Sequence, residues 1–585
     1  MIEVSGVSAC YISADTGGGI CDLITSQYAL NGVSCSFSPG EVVSLAGLNG
    51  SGKSTLSRLL CAMRLADAGC IVVDGVDPAN SEHDRLAVRK AVGFVQQDPA
   101  DQIVSTLVFD EVAFGPRNLG LDEDDVCERV RASLAVVGLD GFEKRDVSGL
   151  SGGEQQRLAL AGVLAMDPAY LVLDEATSHL DSAARPAFRA LVDDLAHKRG
   201  LGIVQVTHDP VELLASDRVM VLDVGRLIWQ GSPEALLMGK RDLWDSLTLQ
   251  SMYVSAVQMA LEGGAFLSSI RSPHMLATWL KTPSGSFVRS RIANDGRFSS
   301  YGQNELDAQS ATSRQNGRGG IEVRDVSFAY DDARPVLRSV SLRAEPGRLM
   351  LLAGCSGSGK STLAMLLAGL SRPDAGEIFI DGLAAHPARC GLAFQRPENQ
   401  LFLQTVREEI AFAPRNAGVG AGELDGRVRE IAARVGLDED LLDRSPFELS
   451  GGQARRVGLA CVLSIGAPAY VLDEPTAGLD APGRRDLHRL VRELAAEGSA
   501  VVLISHDLDE WLCEVDDVAL MADGHIAWSG PAGELWESPG IYRSAGIEPP
   551  DSAMLLEALW AAGAQRSAEA KRVDGGMGAF DGEHE

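Results

Sequence analysis

At 585 residues, with 45% hydrophobic and 23% charged residues, the chain has an ordinary globular composition, and its length alone suggests three or four units of about 100–200 residues. A formal net charge of −29 argues against a broad nucleic-acid surface, which needs clustered Lys and Arg, and fits a solvated acidic exterior. No apolar run approaches the roughly 18–20 residues that cross a bilayer, Met1-Ile2-Glu3-Val4 has no signal-peptide character, and most of the ten cysteines, without paired metal-ligand spacing, read as reduced, buried thiols of a cytosolic protein.

In chain order, the apolar run 42–46 predicts a buried strand, followed by GLNGSGKST at 47–55 and a helix over 56–63. Residues from 115 to 150 read as helical, with a heptad-like stripe over 126–137, and end on LSGGE at 150–154. A strand at 170–173 runs into LVLDEATSHLD, and a strand at 203–206 into His208. Ser268 to Gly320 is rich in Ser, Arg, Asn and Gly, which is linker composition. The same series then returns as GCSGSGKST at 354–362, a helical stretch at 414–449 with its stripe at 424–435, LSGGQ at 449–453, YVLDEPTAGLD at 470–480 and ISHD at 504–507. The spacing is nearly constant, apart from one insertion after the first phosphate loop, so the repeat reduces the expectation to two large domains. The expected layout is a first domain at 1–240, an extension and flexible linker at 241–319, a second domain at 320–535, an extension at 536–564 and an acidic disordered tail at 565–585. Strands alternating with helices give an α/β fold, each half carrying an inserted helical subdomain.

GxxxxGK[ST] between a strand and a helix is a phosphate loop, because glycines let backbone N–H groups wrap phosphates at a helix N-terminus. The first comprises Gly47, Asn49, Gly50, Ser51, Gly52, Lys53, Ser54 and Thr55; the second Gly354, Ser356, Gly357, Ser358, Gly359, Lys360, Ser361 and Thr362. Lys53 and Lys360 are placed to reach the β- and γ-phosphates of ATP, and Ser54 and Ser361 to ligate Mg²⁺. Asp174 and Asp473 end strands and would hold Mg²⁺; Glu175 and Glu474 follow as general base or water-orienting groups. A DE pair after a strand otherwise caps a helix, and a lone histidine is usually structural, but His208 and His506 recur at matched strand ends, where imidazole can bond a γ-phosphate.

Together these motifs resemble the ATP-binding cassette (ABC) ATPases, whose fold is a RecA-like P-loop NTPase core. The resemblance implies that Gln97 and Gln395 form glutamine loops touching Mg²⁺ and the partner, that Tyr11 and Tyr330 stack on adenine, and that Asp181 and Asp480 communicate across a cassette pair. It also implies that Ser151, Gly152 and Gly153, with Ser450, Gly451 and Gly452, cap the γ-phosphate bound by the opposite cassette, so that the two halves close head to tail. Three positions depart from the pattern: Glu154 stands for the usual glutamine, Thr16-Gly17-Gly18-Gly19 follows Tyr11, and Cys355 lies inside the second phosphate loop.

QDPADQIVSTLVFDEVAFGPRN from Gln97 and QRPENQLFLQTVREEIAFAPRN from Gln395, with GIEPP at 546–550, are similar to ATPases of energy-coupling factor transporters, importers of vitamins and transition-metal ions. That resemblance implies a transmembrane coupling protein and a small substrate-binding membrane protein as partners, no nucleic acid, and a peripheral position on the cytoplasmic face of the membrane. Asp110, Glu111, Glu408 and Glu409 are then candidates to face arginines of the coupling protein, against the alternative of a solvated helix face. A soluble tandem-cassette ATPase acting on ribosomes or DNA, or the fused ATPase of another importer class, remain the competing readings.

Overall fold

The computed structural model describes residues 1–12, 26–178, 180, 184–249, 251–282, 284–294, 320–330, 335–538 and 540–559. Asp181, Thr16–Gly19 with their neighbours, residues 295–319 of the expected linker and the tail from 565 lie outside the described residues. Two compact units emerge, and they do not follow the two halves of the sequence. The first joins Met1–Leu249 to Gly391–Gly466 and Leu472–Val491; the second begins with Gln250–Cys390 and takes up the sequence again at Ala467–Val471 and from Arg492.

In the first unit, β1 (Ile2–Ile12), β2 (Ser26–Phe37), β3 (Val42–Ala46), β4 (Ala68–Val73), β5 (Val92–Val95), β6 (Tyr170–Asp174), β7 (Gly202–Val206), β8 (Arg218–Asp223) and β9 (Arg226–Gly231) make two sheets. One is antiparallel, in the order β2-β1-β4; the other runs β5-β6-β7-β3-β8-β9. β3 and β7 are buried at every position, as expected for parallel strands covered on both faces. Val206 pairs with Asp174 on one side and with Leu45 on the other, so the carboxyl ends of β6, β7 and β3 lie level. Ligands of such sheets bind beyond those ends.

The helical insertion comprises Val108–Asn118, Glu123–Val136 and Gly152–Leu164. It starts earlier than the expected 115 because Pro116, which reads as a breaker, sits inside the first helix; Pro414 does the same in Val406–Asn416. Buried Val126, Val130 and Leu134, spaced by four, carry the stripe of the second helix, whose N-terminus is capped by Asp122.

In the second unit, β10 (Ile321–Phe328), β11 (Leu337–Ala344), β13 (Ala375–Ile380) and β14 (Leu383–Ala384) form the antiparallel sheet, while β12 (Leu349–Gly354) lies parallel to β15 (Ala500–Ile504) and β16 (Asp517–Ala522). The linker expectation is corrected over 268–294. Pro273–Leu280 and Ser286–Asn294 are helices, and Ile270, Leu276, Leu280, Val288 and Ile292 are buried. Few apolar residues at helical spacing suffice here, and serine supplies a cap, Ser272 Oγ accepting from Met275 N at 3.3 Å.

Candidate nucleotide site

The first phosphate loop leaves β3 and enters the helix Lys53–Leu60. Gly47 and Gly52 hold φ of 151° and 103°, and a Cβ on either would meet a backbone oxygen at 2.3 Å, Leu222 O or Ala29 O. Only glycine fits, so the loop's N–H groups stay open to a ligand. Lys53 is buried, its Nζ donating to the carbonyls of Gly47 at 2.6 Å and Leu48 at 2.9 Å, and Ser51 Oγ is buried with no hydrogen-bond partner. A buried ammonium held only by loop carbonyls, beside an orphaned hydroxyl and a helix N-terminus, fits a polyphosphate.

Burial lowers the Lys53 amino group's pKa, while the charges of Glu175, Asp174 and Asp480 pull it back up. Asp174 is pushed up by burial and by Glu175, against a hydrogen bond with Ser54 and the charges of Lys53 and Arg58. An acidic oxygen and a hydroxyl paired beside the phosphate cradle are the hard donors that Mg²⁺ takes. Glu175 sits at φ 48°, an unusual conformation for a side chain of this size, with its N–H bonded to Val206 O at 3.1 Å. Its carboxylate accepts from Gln97 Nε2 at 3.0 Å, and His208 Nε2 lies 3.5 Å away. Burial would raise this carboxyl, but the His208 contact and the charges of His208, Lys53 and Arg484 outweigh it and hold the group below its usual value. Gln97 thus touches Glu175, and Lys53, Ser54, Asp174 and His208 lie around it.

The second half of the sequence reaches this loop within the same unit. Asn49 N donates to Asp480 Oδ2 at 3.0 Å, and Asn49 Nδ2 to Gly478 O at 3.2 Å. Gly478 and Arg484 were not singled out from the sequence; Arg484 stands four residues after Asp480, as Arg185 does after Asp181. Arg64 was also missed: its guanidinium lies 4.4 Å from the Tyr11 ring centre. Tyr11 is hydrogen-bonded by Thr55, which lowers its hydroxyl pKa. Tyr330 repeats the contact, 3.2 Å from Thr362 Oγ1, with its ring edge-on to Phe328.

Ser151 and Ser450 cap the helices Gly152–Leu164 and Gly451–Ser464 through full capping boxes with Glu154 and Gln453. Glu154 therefore does the work of glutamine, accepting from Ser151 N at 2.8 Å and Ser151 Oγ at 2.9 Å. Gly152, Gly153, Gly451 and Gly452 open these helices with their N–H groups at the exposed end.

The residues expected at a second site fall in different units. In the second unit Lys360 Nζ donates to Gly354 O at 2.8 Å and Cys355 O at 2.9 Å, repeating Lys53, and Ser358 Oγ is buried without a hydrogen-bond partner. Ser356, Gly357, Gly359, Ser361 and His506 belong to this unit as well. Cys355 is exposed, its Sγ 3.4 Å from Gly546 O of the C-terminal extension, and half-buried Asp509 accepts from the N–H groups of Asp551 and Ser552. Gln395, Asp473 and Glu474 lie in the first unit; Glu474 has φ 48°, as Glu175 does.

The acidic quartet is corrected in part. Glu111 is buried and accepts from Val104 N at 2.9 Å and Ser105 N at 2.7 Å, and buried Glu409 accepts from Phe402 N and Leu403 N. Both clamp the loop after the glutamine and cannot face a partner. Asp110 is half-buried and pairs with Arg117 at 3.1 Å; Glu408 is half-buried too, its N–H capped by Thr405.

Comparison with known proteins agrees with this geometry. The ABC transporter family profile matches residues 30–178 and 337–477. An ABC transporter ATP-binding protein of Bifidobacterium longum is 36% identical over 88% of this chain, which spans 66% of that protein. One from Methanosarcina acetivorans is 32% identical over 90% of this chain and 87% of its own length. The HMP/thiamine import ATP-binding protein YkoD of Bacillus subtilis is 28% identical over 88% of this chain and 91% of its own length. Two phosphate loops, two signature turns and full-length relatives thus lead to one conclusion: the chain belongs to the ABC transporter ATP-binding proteins and is an ATPase with two ABC cassettes.

Proposed function

We propose that the chain hydrolyses MgATP at two composite sites, formed when its own halves close head to tail, and thereby powers an energy-coupling factor type importer of a vitamin or transition-metal ion. The observation that carries the pairing is Asn49 of the first phosphate loop bonded to Gly478 and Asp480 of the second half. The importer class is supported by the twice-occurring Q-x-P-x-x-Q to A-F-x-P-R-N segment and by the relative named for thiamine import.

ABC ATPases work with transmembrane components, and no helix among the described residues is long and apolar enough to cross a membrane. The chain therefore sits peripherally on the cytoplasmic face, against a coupling protein that carries the substrate-binding subunit. Exposed Val104, Leu107 and Phe114, and exposed Phe402 stacked edge-on with Phe412, follow the two glutamine loops and offer that partner an apolar seat.

At the first site Ser54 and Asp174 would hold Mg²⁺, which neutralises the phosphates. Lys53 exchanges its two carbonyl partners for phosphate oxygens. Glu175, kept ionised, orients the attacking water and accepts its proton; Gln97 and His208 fix its two oxygens. The signature turn Ser450–Gly452 presents its N–H groups to the γ-phosphate from across the pair. Ser361, Gln395, Asp473, Glu474 and His506, with Ser151–Gly153, do the same at the Lys360 site.

The test combines two variants. Glu175→Gln with Glu474→Gln should keep MgATP binding and lower turnover by about 10²–10⁴. Ser450→Arg should disable nucleotide trapping at the Lys53 loop while sparing the Lys360 loop. Loss confined to the Lys360 loop would refute the head-to-tail arrangement.

A further inference from the structure

Asp98 and Arg396 each stand one residue after the glutamine of their loop, so they are the same position in the two copies of the repeat. The structure joins them by an ion pair within the first unit. In a two-fold arrangement of similar parts, a position touches its own counterpart only near the axis. The contact therefore locates the pseudo-axis between the two glutamine loops. At that point identical partners would bring like charges together.

We propose that this charge pair selects the partner of each cassette: it favours the unlike half of the same chain and opposes pairing of like halves from two chains. The proposal rests on the intrachain pairing argued above. A first cassette meeting another first cassette would set Asp98 against Asp98, and two second cassettes would set Arg396 against Arg396. Repulsion at such a contact is a recognised source of specificity. Asp98 is well placed to act this way because it is held rigidly, its Oδ1 capping the turn Pro99–Asp101 through Ala100 N at 2.9 Å. The Arg396 guanidinium carries donors only, so it takes no part in capping its own turn, Pro397–Gln400, and its side chain reaches the Asp98 carboxylate instead. Another contact between the halves, Arg485 Nη1 on the carbonyl of Asp245 at 2.8 Å, pairs a cation with a neutral acceptor.

The experiment uses the full chain and reads MgATP turnover, which needs closed halves, at low and high salt. Asp98→Arg and Arg396→Asp should each lower turnover about three- to tenfold at low ionic strength, with the loss shrinking in about 0.5 M salt. The exchanged double variant, Asp98→Arg with Arg396→Asp, should return to within about twofold of the parent. Asp98→Asn keeps the turn's cap and removes the charge, so it should lose as much as Arg396→Gln and separates the ion pair from the cap. Mixing the two single-reversal chains should restore turnover and produce two-chain particles in light scattering, since opposite charges then meet only between chains. Single reversals with parental turnover, an exchanged variant no better than the worse single, or mixing without rescue would each overturn the proposal. Ser450→Arg probes the intrachain pairing without touching this pair, so the two ideas can fail separately.

Discussion

Replacing Glu111 by alanine removes the acceptor of two loop amides, Val104 N and Ser105 N, from a side chain that is only 8% exposed. Hydrogen bonds to a charged acceptor are worth about 1.5–3 kcal/mol each when the donor is left dry. Val104 is largely exposed, so water replaces part of that loss, and a total of about 2–3 kcal/mol is the reasonable figure. Local opening of the loop should become about 30- to 150-fold more frequent. Amide hydrogen exchange at Val104 and Ser105 reads this directly, without requiring the two-unit chain to unfold in one step. Asp110→Ala, one residue away, breaks only an exposed pair with Arg117 and should change exchange by less than about fivefold. Glu409→Ala should repeat the effect at Phe402 and Leu403. If Glu111→Ala speeds exchange less than about threefold, or Asp110→Ala does as much, the clamp is not what holds this loop.

Glu154 is held below its usual pKa: burial would raise it, but bonds from Ser151 and the charges of Arg157 and Arg145 prevail. A depressed carboxyl stabilises the fold above its unfolded value, near 4.5, and loses that contribution as pH falls through the folded one. The stability gap between parent and Glu154→Gln should therefore narrow on acidification from pH 5 in paired denaturation curves; a gap that widens contradicts the assignment. Tyr330→Ala should weaken nucleotide labelling of the Lys360 loop about five- to hundredfold, the usual worth of base stacking, and Tyr11→Ala should cost its own loop less, because Arg64 still covers that position. Equal losses at the two loops would remove the special role of Arg64.

Motifs whose chemistry depends on residue type at short spacing were legible at once. The loops around Lys53 and Lys360 and the carboxyl pair Asp174-Glu175 fell where the alternation of strand and glycine put them. Features that depend on tertiary partners were not. Glu111 and Glu409 look like any acid in the first turn of a helix, and only the fold shows the loop amides folded back onto them. The helices at 273–294 are hidden by their serines, among them the cap Ser272, which read as linker. The strained backbone at Glu175 has no signature at all, since glutamate is a poor choice for φ 48° and is kept there by its bonds to Gln97 and Val206. The compact units do not follow the two halves for a related reason: the repeat fixes homologous positions, whereas contacts such as Asn49 with Asp480 join non-homologous ones.

Cys355 gives the two nucleotide sites different chemical handles. The first phosphate loop has Leu48 at the equivalent place, and the second presents an exposed thiol one residue after Gly354. A bulky maleimide applied to the unaltered chain can therefore footprint one site alone. Peptide mapping of that adduct, with exposed Cys70 as an internal standard for reagent access, turns occupancy of the second loop into a ratio of two masses. The same adduct also reports on the C-terminal extension, because the exposed Cys355 sulfur lies 3.4 Å from Gly546 O and should be alkylated faster once that segment moves away.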